Sequence, residues 1–437
     1  MKMKHVTALA AGILAAGIAA PAFAQEVLKL PNMSYRTGPF AATGTPHMNG
    51  QLDYMTMLNE RDGGIGGVRI AFEECETGYN TEKGVECYEK LKSEGALVTQ
   101  PWSTGITLQV LPRTNVDEIP MFAPGYGFSA MQDGKTFKWA FNPPTSYWDG
   151  ASMIMQAVAD GNLDSLDGKK IAFLHLDHPY GKEPLPLLEA MAGTHGFELL
   201  PIPVGLTEMQ NQSAQWLQIR RERPDFVIMW GWGAMNAGAI TEAVKTRYPM
   251  EQFVSVWWGA HEPDLKLVGE QAKGYRALSW NFVDSESKLM QDVKTHVVDA
   301  GKSQLNQGAG EFDTTAYQRG ILMSVILAEA VEAAQAEAGT PMINQEQLRK
   351  GLESVNLDEA RLAELGAEEM MAPFAMSCSN HTGHASAWMI EWDGTKFVKV
   401  SDLMTADRAV IDPLVEKASA DYAAANQPWQ MNDDCAE

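Results

Sequence analysis

The sequence predicts an α/β protein with two lobes, each a doubly wound parallel sheet with helices on both faces. Short apolar runs alternate with amphipathic stretches along the chain, which is the pattern of parallel-sheet proteins. The alternation pauses near "AFNPPTSYWDG" (140–150) and then begins again. The length of 437 residues is also more than one compact core usually holds. Two lobes are therefore expected.

The first lobe is expected to begin with a regular alternation of strand and helix. The apolar run "VLKLPNMS" (27–34) leads into a loop rich in Gly, Pro and Thr, and helical spacing follows over 46–64. The helix over 80–95 opens with Asn80 and Thr81, residue types that favour helix N-termini. The other expected elements are strands at 68–78, 96–102 and 119–127 and a helix at 103–118.

The same order is expected again in the second lobe. The unit 167–196 has the pattern of a strand, a loop and a helix, and 251–270 repeats that pattern later in the chain. Between these units, strands are expected at 197–205 and 225–233, and helices at 208–224 and 234–248. A long helix over 312–339 and a hairpin over 385–402 follow, with Asp393-Gly394 as the turn signature.

The N-terminus predicts a secretory signal peptide over residues 1–24. Lys2 and Lys4 precede an apolar stretch, and a small-x-small sequence typical of a signal peptidase site ends at Ala24. The apolar stretch is too short and too rich in Ala and Gly for a membrane span. We therefore expect cleavage after Ala24 and a soluble, exported chain.

The composition excludes some classes of partner. The formal net charge is −22, and the acidic residues are scattered along the chain rather than grouped in one block. This balance disfavours binding to nucleic acid or to an anionic membrane surface. It is typical of a solvated acidic surface.

The four cysteines predict two structural disulfides. Three pairings are possible, but Cys75 ends a strand-like run and Cys87 lies on the next helix, so a local bridge between them is easy. That pairing leaves Cys378 to Cys435, which would fix the C-terminal tail. Zinc binding and thiol catalysis are weaker interpretations, because no C-x-x-C pair is present and exported thiols tend to be oxidised.

Aromatic residues stand at five places where a strand is expected to end. In doubly wound sheets, ligands bind at the carboxyl ends of the strands. If the two lobes face each other there, these residues line a shared cleft; the alternative is that each Trp packs locally under its own loop. The five segments are "QPWSTG" (100–105), "APGYG" (123–127), "LDHPYG" (176–181), "WGWG" (230–233) and "WWGAHE" (257–262).

Four segments carry a family resemblance: 36–91, 103–125, 173–190 and 224–243. Their order and spacing resemble the periplasmic solute-binding proteins of branched-chain-amino-acid-type ABC transporters. The likeness covers nearly the whole chain after residue 24.

The resemblance implies the type I periplasmic binding protein fold, in which two lobes joined by a three-crossover hinge close on a small ligand. It also implies a monomer in the periplasm that delivers its ligand to an ABC permease in the inner membrane, with no cofactor. In this frame residues 25–145 and about 278–375 form the N-terminal lobe. Residues 146–277 and about 376–437 form the C-terminal lobe and tail.

In the first lobe, the resemblance assigns the ligand carboxylate to the turn after the third strand. Ser103 and Thr104 are the candidates there, with Trp102 before them, and a helix N-terminus suits an anion because its N–H groups are unpaired. A plain helix cap is the alternative role for the two hydroxyl side chains. The next turn offers Gly125 and Tyr126, which departs from the small hydroxyl residues usual in the family and disfavours a standard α-amino acid.

In the second lobe, the resemblance assigns aromatic ligand contacts to Tyr180 of "HPYGK" and to Trp232, with Trp230 beside it. The acidic group that takes a ligand ammonium in the family falls in "GAHEPD" (259–264). Glu262 or His261 is therefore the candidate for that role.

So many aromatic side chains predict a box rather than a polar slot, and two ligand types suit it. One is an apolar or aromatic carboxylate or amino acid, with its ring on Trp and its anion at Ser103 and Thr104. The other is a quaternary ammonium compound held by cation–π contacts. The helix end favours the first. The candidate box comprises Trp102, Tyr126, Tyr180, Trp230, Trp232, Trp257 and Trp258, with Trp148 near the hinge.

An enzyme is not predicted. No H-E-x-x-H, P-loop or G-x-S-x-G pattern occurs, and "GGIGGV" (63–68) stands before a strand rather than after one. The two histidines of "SNHTGHASAW" (379–388) are interpreted as part of a loop, so no metal site is expected. A ligand-sensing protein that docks onto a membrane receptor remains the alternative to transport.

Overall fold

The computed structural model describes residues 26–305, 311–383 and 385–435. The expected signal peptide, residues 1–24, lies outside the described residues. The strands are β1 (Leu28–Lys29), β2 (Ile70–Ala71), β3 (Met121–Phe122), β4 (Ala140–Phe141), β5 (Lys170–Leu176), β6 (Glu198–Val204), β7 (Phe226–Trp230), β8 (Phe253–Ser255), β9 (Arg276–Ser279), β10 (Asn356–Leu357), β11 (Phe374–Ala375), β12 (Ser386–Trp392), β13 (Phe397–Lys399) and β14 (Met404–Thr405).

The helices follow the strands in the alternation expected from the sequence. None of the described helices is long and apolar enough to cross a membrane. The helices are α1 (Ala41–Arg61), α2 (Thr81–Ser93), α3 (Thr104–Asp117), α4 (Tyr147–Val158), α5 (Pro179–Lys182), α6 (Leu185–His195), α7 (Ser213–Glu222), α8 (Ala234–Thr246), α9 (Glu262–Lys266), α10 (Lys288–Val293), α11 (Thr315–Ala338), α12 (Gln345–Glu353), α13 (Glu359–Leu365) and α14 (Arg408–Ala425).

The first lobe is built on parallel segments whose regular pairing is short. β1 pairs with β2 and β3 pairs with β4, both in parallel. Single parallel bridges from Met33 to Pro101 and from Thr99 to Met121 connect these pairs through the segment 99–101. Across the lobe the order is therefore β2, β1, residues 99–101, β3 and β4.

Prolines explain why the strand expected at 96–102 forms only isolated bridges. Pro31, Pro101 and Pro120 stand where neighbouring segments run side by side, and a proline has no N–H to donate. Around them the pairing continues, since the N–H of Leu97 donates to the carbonyl of Lys29 at 2.9 Å. The chain is extended here, but the ladder is interrupted too often to make a long strand.

The second lobe contains one eight-stranded sheet. Its order is β13, β12, β9, β8, β7, β5 and β6, and β14 also pairs with β12. Strands β5 to β9 run parallel to one another. β12 runs antiparallel to β9, β13 and β14. β7 and β8 are apolar and almost wholly buried, as expected of central strands covered on both faces.

The expected hairpin joins β12 to β13, but its loop is longer than the sequence signature implies. Four residues, 393–396, separate the strands, and the N–H of Asp393 donates to the carbonyl of Lys396 at 3.0 Å. The Asp393 carboxylate accepts the N–H groups of Thr395 and Lys396, and Gly394 has a φ of +109°. The aspartate side chain therefore organises a wider turn than a two-residue hairpin.

The chain crosses between the lobes three times, as the expected hinge requires. The crossings lie between β4 and α4, between β9 and α10, and between β11 and β12. Helix α4 packs on β9 and β12 and so belongs to the second lobe, while α11 packs on α1 in the first. The exact lobe boundaries given above stay a proposal.

Helices α1 and α11 approach each other more closely than side chains would allow. A Cβ atom on Gly50 would lie 2.0 Å from the carbonyl oxygen of Tyr317, and one on Gly320 would lie 2.0 Å from that of His47. The two glycines thus let the helix backbones touch. This contact brings His47 and Arg319 to the same side of the first lobe.

The two predicted disulfides, Cys75–Cys87 and Cys378–Cys435, are confirmed. The second fixes the tail that follows α14. That tail lies against the first lobe, where the N–H of Asn432 donates to the carbonyl of Lys135 at 2.8 Å. Helix α14 itself packs on α6 of the second lobe. The C-terminal segment therefore contacts both lobes.

Candidate functional site

Loops at the carboxyl ends of strands from both lobes meet in one buried group of rings. The ring centroids of Tyr126 and Trp258 are 4.5 Å apart, and those of Tyr35 and Trp232 are 6.3 Å apart. In each pair the first ring belongs to the first lobe and the second to the second lobe. We call the group the interlobe aromatic cluster; it comprises Tyr35, His47, Trp102, Tyr126, Tyr147, Tyr180, Trp230, Trp232, Trp257 and Trp258, each at most 3% exposed.

The second lobe contributes the larger share of the cluster. Tyr147, the first residue of α4, stacks on Trp257 with centroids 5.4 Å apart and planes 12° apart. Its hydroxyl accepts the indole N–H of Trp258 at 3.1 Å. Trp230 lies 5.8 Å from Tyr147, and the Tyr180 hydroxyl donates to the carbonyl of Gly231. The loops after β5, β7 and β8 thus build one continuous aromatic wall.

The first lobe contributes a smaller facing surface. The His47 ring on α1 lies 5.4 Å from Trp102 and 6.0 Å from Trp258, so it touches both lobes. The hydroxyls of Tyr35 and Tyr126 are 2.6 Å apart and share a hydrogen bond. The tyrosine hydroxyls and the imidazole on this side are neutral groups that can donate or accept, whereas the Trp102 indole N–H only donates.

Burial sets the charge state of these groups. It raises the pKa of four cluster hydroxyls well above that of free tyrosine, so all four stay protonated. Burial, with the Arg319 charge, lowers the pKa of His47 to about 3 and keeps the imidazole neutral. The four tyrosines are Tyr35, Tyr126, Tyr147 and Tyr180.

The N-terminus of α3 lies at the edge of the cluster. Ser103 occupies the N-cap position, but its side chain makes no capping bond, and its buried hydroxyl has no partner among the described residues. The Thr104 hydroxyl accepts the N–H of Gly127 at 3.4 Å. A plain capping role therefore does not account for the Ser103 hydroxyl, and the first-turn N–H groups of α3 have no acceptor within the helix.

Gly125 lies directly beneath the second-lobe wall. A Cβ atom there would stand 3.2 Å from Nε1 of Trp257 and 3.5 Å from both Trp258 and Nε1 of Trp280. Its φ of +68° also favours glycine. At Gly125 the indole rings of the second lobe therefore approach the backbone of the first lobe directly.

His261 and Glu262 lie beside the cluster rather than in its ring contacts. Both Glu262 oxygens accept from Thr315, its N–H at 3.1 and 3.2 Å and its hydroxyl at 2.6 Å. His261 lies 3.0 Å from the Asp264 carboxylate; burial lowers the pKa of this imidazole, but Asp264 more than compensates and raises it overall. Their role toward a ligand ammonium stays a prediction.

Arg319 is a site residue that the sequence analysis missed. It lies on α11, is 1% exposed, and its guanidinium is 5.0 Å from the Trp258 ring and 5.6 Å from the Trp280 ring. Its Nε donates to Asn281 at 2.8 Å and one Nη to Ser279 at 3.4 Å. Burial lowers the pKa of Arg319 to about 10, so it remains charged at neutral pH.

Three cluster members were also missed: Tyr35, His47 and Tyr147. Tyr35 lies in the loop after β1 and Tyr147 begins the helix that follows β4, so the rule that singled out the other aromatics applies to them as well. Arg319 had a weaker signal, as a lone charge inside the apolar part of a long helix. All six aromatic residues predicted as ligand contacts lie in the cluster: Trp102, Tyr126, Tyr180, Trp230, Trp232 and Trp258.

Comparison with family models gives one match over most of the chain. Residues 27–396 match the model described as periplasmic binding protein. A search of curated proteins finds no match.

Solved structures share the fold over nearly their full length. A structure described as an ABC transporter permease from the Pseudomonas fluorescens group is 33% identical, with a TM-score of 0.84, covering 93% of this chain and 99% of that one. A branched chain amino acid ABC transporter from Thermus thermophilus with bound valine is 19% identical, with a TM-score of 0.76, covering 89% and 99%. A solute-binding protein from R. palustris in complex with benzoate is 16% identical, with a TM-score of 0.67, covering 87% and 97%.

Proposed function

The chain belongs to the periplasmic binding protein family, and we propose that it captures a hydrophobic or aromatic carboxylate between its lobes for an ABC permease. It is a substrate-binding protein of the ABC transporter type. The family binds solutes and does not transform them. The proposal therefore concerns which solute is bound and how.

One observation carries the proposal: ten ring side chains from both lobes meet at the strand ends, and each is at most 3% exposed. A local role under separate loops would leave the two sets apart. Their meeting across the hinge is what a closed ligand-binding cleft requires. Opening of the lobes would expose these rings to water, so a ligand that fills the cleft would favour the closed form.

The chemistry of the cluster favours an apolar or aromatic ligand body. Buried aromatic side chains each remove about 150–250 Å² from water, and stacked or edge-on rings add specificity. At the edge of the cluster, the unpartnered Ser103 hydroxyl and the first turn of α3 offer hydrogen-bond donors. We propose that Ser103 and Thr104 bind an acceptor group of the ligand, such as a carboxylate oxygen.

The neighbours agree with this ligand class without defining it. One structure in the comparison holds valine and another holds benzoate, both of which are small carboxylates with an apolar part. The proposed setting is the periplasm, where the closed protein docks as a monomer on its permease. The lobe boundaries near residues 145, 277 and 375 belong to the same proposal.

A thermal-shift screen tests the proposal. The protein is refolded to remove any co-purified compound and is mixed with aromatic and short-chain carboxylates, amino acids and quaternary ammonium compounds. A ligand that binds only the folded form stabilises it and so raises the melting temperature. At a ligand concentration of a hundred times Kd, the stabilisation is about 2.7 kcal/mol. We expect the aromatic carboxylates to give the largest shift. A panel in which no compound shifts melting would contradict the proposed ligand class.

A double variant, Ser103→Ala with Thr104→Ala, tests the position of the acceptor group. We expect it to weaken the best carboxylate about tenfold, because it removes the hydroxyl donors at the start of α3. Ser213→Ala, at the first residue of α7, is the control and should leave affinity unchanged. Equal affinity in the double variant and the wild type would argue against this position.

A further inference from the structure

Arg319 is buried without a carboxylate partner. Asn281 and Ser279 accept two of its five N–H groups. Among the residues that the structure describes, no carboxylate oxygen lies within 4.0 Å of its guanidinium, whereas Arg36, Arg61 and Arg408 each have one. A buried guanidinium in this state is costly unless a further acceptor completes it.

Two indole N–H groups face the same place. Those of Trp257 and Trp280 are buried and have no acceptor in the described parts of the chain. Both nitrogens lie within 3.5 Å of the point that a Cβ atom on Gly125 would occupy. The Trp280 ring is also 5.6 Å from the Arg319 guanidinium, so the charged donor stands near one of these two neutral donors.

We infer that Arg319, together with the indole N–H groups of Trp257 and Trp280, forms an anion subsite that binds a carboxylate or a comparable oxyanion of the ligand. The inference rests on the proposed function, since it places the subsite in the same interlobe cleft. Indole and guanidinium groups only donate, so the group that completes them must supply acceptors. A negative charge fits best, because charge-assisted hydrogen bonds are stronger than neutral ones.

The nearest acid does not replace the ligand in this subsite. The Glu262 carboxylate acts on Arg319 through its charge, but both of its oxygens are already bound by Thr315 at the start of α11. Glu262 therefore offsets part of the guanidinium charge without accepting its hydrogen bonds. The N-terminus of α3, on another edge of the cluster, is left to bind a second acceptor of the same ligand.

The subsite also decides between the two ligand types that an aromatic box allows. A quaternary ammonium ion has no acceptor atoms and would lie near the positive guanidinium. A neutral amide offers an acceptor but no charge. A carboxylate offers both, so the preference should follow the order carboxylate, amide, ammonium on the same ring.

Three ring-matched probes test the inference on the refolded full-length protein: benzoate, benzamide and benzyltrimethylammonium. We expect benzoate to bind at least about tenfold more tightly than the other two, measured by tryptophan fluorescence and calorimetry. Arg319→Gln should weaken benzoate about tenfold or more and change benzamide less than about threefold. Arg276→Gln, which removes an arginine paired with Glu391 at the far end of β9, is the control and should change neither.

Each outcome has one meaning. Binding of benzamide or of the ammonium as tightly as benzoate would overturn the anion subsite but leave the proposed cleft standing. Binding of none of the three would contradict the proposed ligand class itself. Wild-type selectivity is measured without any variant, so a poorly folded Arg319→Gln protein does not block the test.

A second pair of variants isolates the indole donors. Trp257→Phe keeps a ring in the cluster but removes one N–H, and we expect it to weaken benzoate about threefold to tenfold with little effect on benzamide. Trp216→Phe is the matched control, because that buried indole also lacks an acceptor in the described chain but packs on Tyr248 and Phe253 behind the sheet. Equal effects of both variants on benzoate would overturn the role of Trp257.

Discussion

Two arginines are almost completely buried in this protein, and their surroundings are opposite. Arg349 on α12 contacts three carboxylates: Glu346 at 2.7 Å, Glu353 at 2.5 Å and Asp434 at 2.8 Å. Arg319 on α11 has hydrogen bonds only to neutral side chains. The first is completed by carboxylates of the chain itself, whereas the second has no carboxylate partner among the residues that the structure describes.

The net pKa shifts of the two arginines have opposite signs. Burial lowers the pKa of both groups, but the acids around Arg349 more than compensate and raise it, while the pKa of Arg319 falls to about 10. The Arg349 group also connects α12 to the C-terminal tail through Asp434. We expect Arg349 to stabilise the fold, and the proposed anion subsite implies that Arg319 lowers the stability of the unliganded protein.

The largest expected effect is a difference in the free energy of unfolding between variants of the two arginines. Arg349→Met should lower the free energy of unfolding by about 3–5 kcal/mol, because it leaves the half-buried acids, Glu353 above all, without their cation. Arg319→Met should change it by less than about 1 kcal/mol or increase it, since a methionine of similar length removes a poorly paired charge. Denaturant unfolding of both apo variants checks the difference.

The result that would contradict the comparison is equal destabilisation. If Arg319→Met cost as much as Arg349→Met, the bonds to Asn281 and Ser279 would make Arg319 a structural residue, and the anion subsite would lose its main support.

The next effect concerns the segment that holds Asp434 in place. In the chain-entropy description, loss of the Cys378–Cys435 bridge, with its sequence separation of 57, costs about 4 kcal/mol. Loss of the Cys75–Cys87 bridge, with a separation of 12, costs about 3 kcal/mol. We expect Cys→Ser pairs to rank in that order in thermal unfolding, and the C-terminal pair to lose part of the Arg349 contribution as well.

A double-mutant cycle separates the two contributions of the tail. Arg349→Met should cost less in the Cys378→Ser, Cys435→Ser background than in the wild type, because Asp434 is then free to leave. Strict additivity would mean that the tail stays in place without its disulfide.

The contrast between these regions also explains what the sequence could predict. Trp102, Trp230 and Trp258 were predicted as cleft residues because each stands where a strand is expected to end, and strand ends in parallel sheets meet at one edge. The disulfides followed from one short loop that left a single remaining pair. These are local patterns, so the residues that carry them stand close together in the chain.

The missed residues depend on contacts between distant segments. Arg319 lies on α11, which packs closely on α1 at Gly50 and Gly320, and neither glycine has a local signature for that packing. The partner of Glu262 is also distant, since its bonds to Thr315 join residues 53 positions apart. A pattern read along one segment does not contain such pairings.

A smaller effect sharpens the difference between cleft and core aromatics. Trp232→Ala should weaken ligand binding by more than about tenfold but change apo stability by less than about 1 kcal/mol, because Trp232 faces Tyr35 of the other lobe across the proposed cleft and packs on Trp258 at the rim of its own lobe. Trp216→Ala should lower apo stability by about 3–5 kcal/mol, since it opens a cavity in the second-lobe core. Calorimetry and thermal unfolding give the two quantities.

A loss of apo stability in Trp232→Ala as large as that in Trp216→Ala would place Trp232 in a permanent core. The interlobe contacts would then describe a fixed interface rather than a cleft that opens.

The smallest expected effect concerns Glu183, an ionisable group that, like Arg319, is only partly hydrogen-bonded among the described residues. One oxygen of Glu183 accepts the N–H of Ser129 across the lobes at 2.7 Å, while the other is buried without a partner among the described residues. Burial, opposed in part by Ser129 and assisted by the nearby Asp149 charge, raises the pKa of Glu183 from 4.5 to about 8. The folded protein therefore keeps this proton over a pH range in which the unfolded chain has lost it.

The sign of the pH dependence follows from that difference. The contribution of Glu183 to stability is complete below about pH 4.5 and is lost progressively as the pH rises toward 8. Glu183→Gln imitates the protonated form, so it should match the wild type near pH 5 and be more stable at pH 8.5. Glu189→Gln, an exposed change on α6, should follow the wild type at both values.

If Glu183→Gln followed the wild type as well, the carboxylate would be solvated and ionised, and a missing partner would not by itself mark a destabilised group in this protein. The case for Arg319 would then rest on the two unpartnered indole N–H groups of Trp257 and Trp280 that meet beside Gly125, a feature that Glu183 lacks.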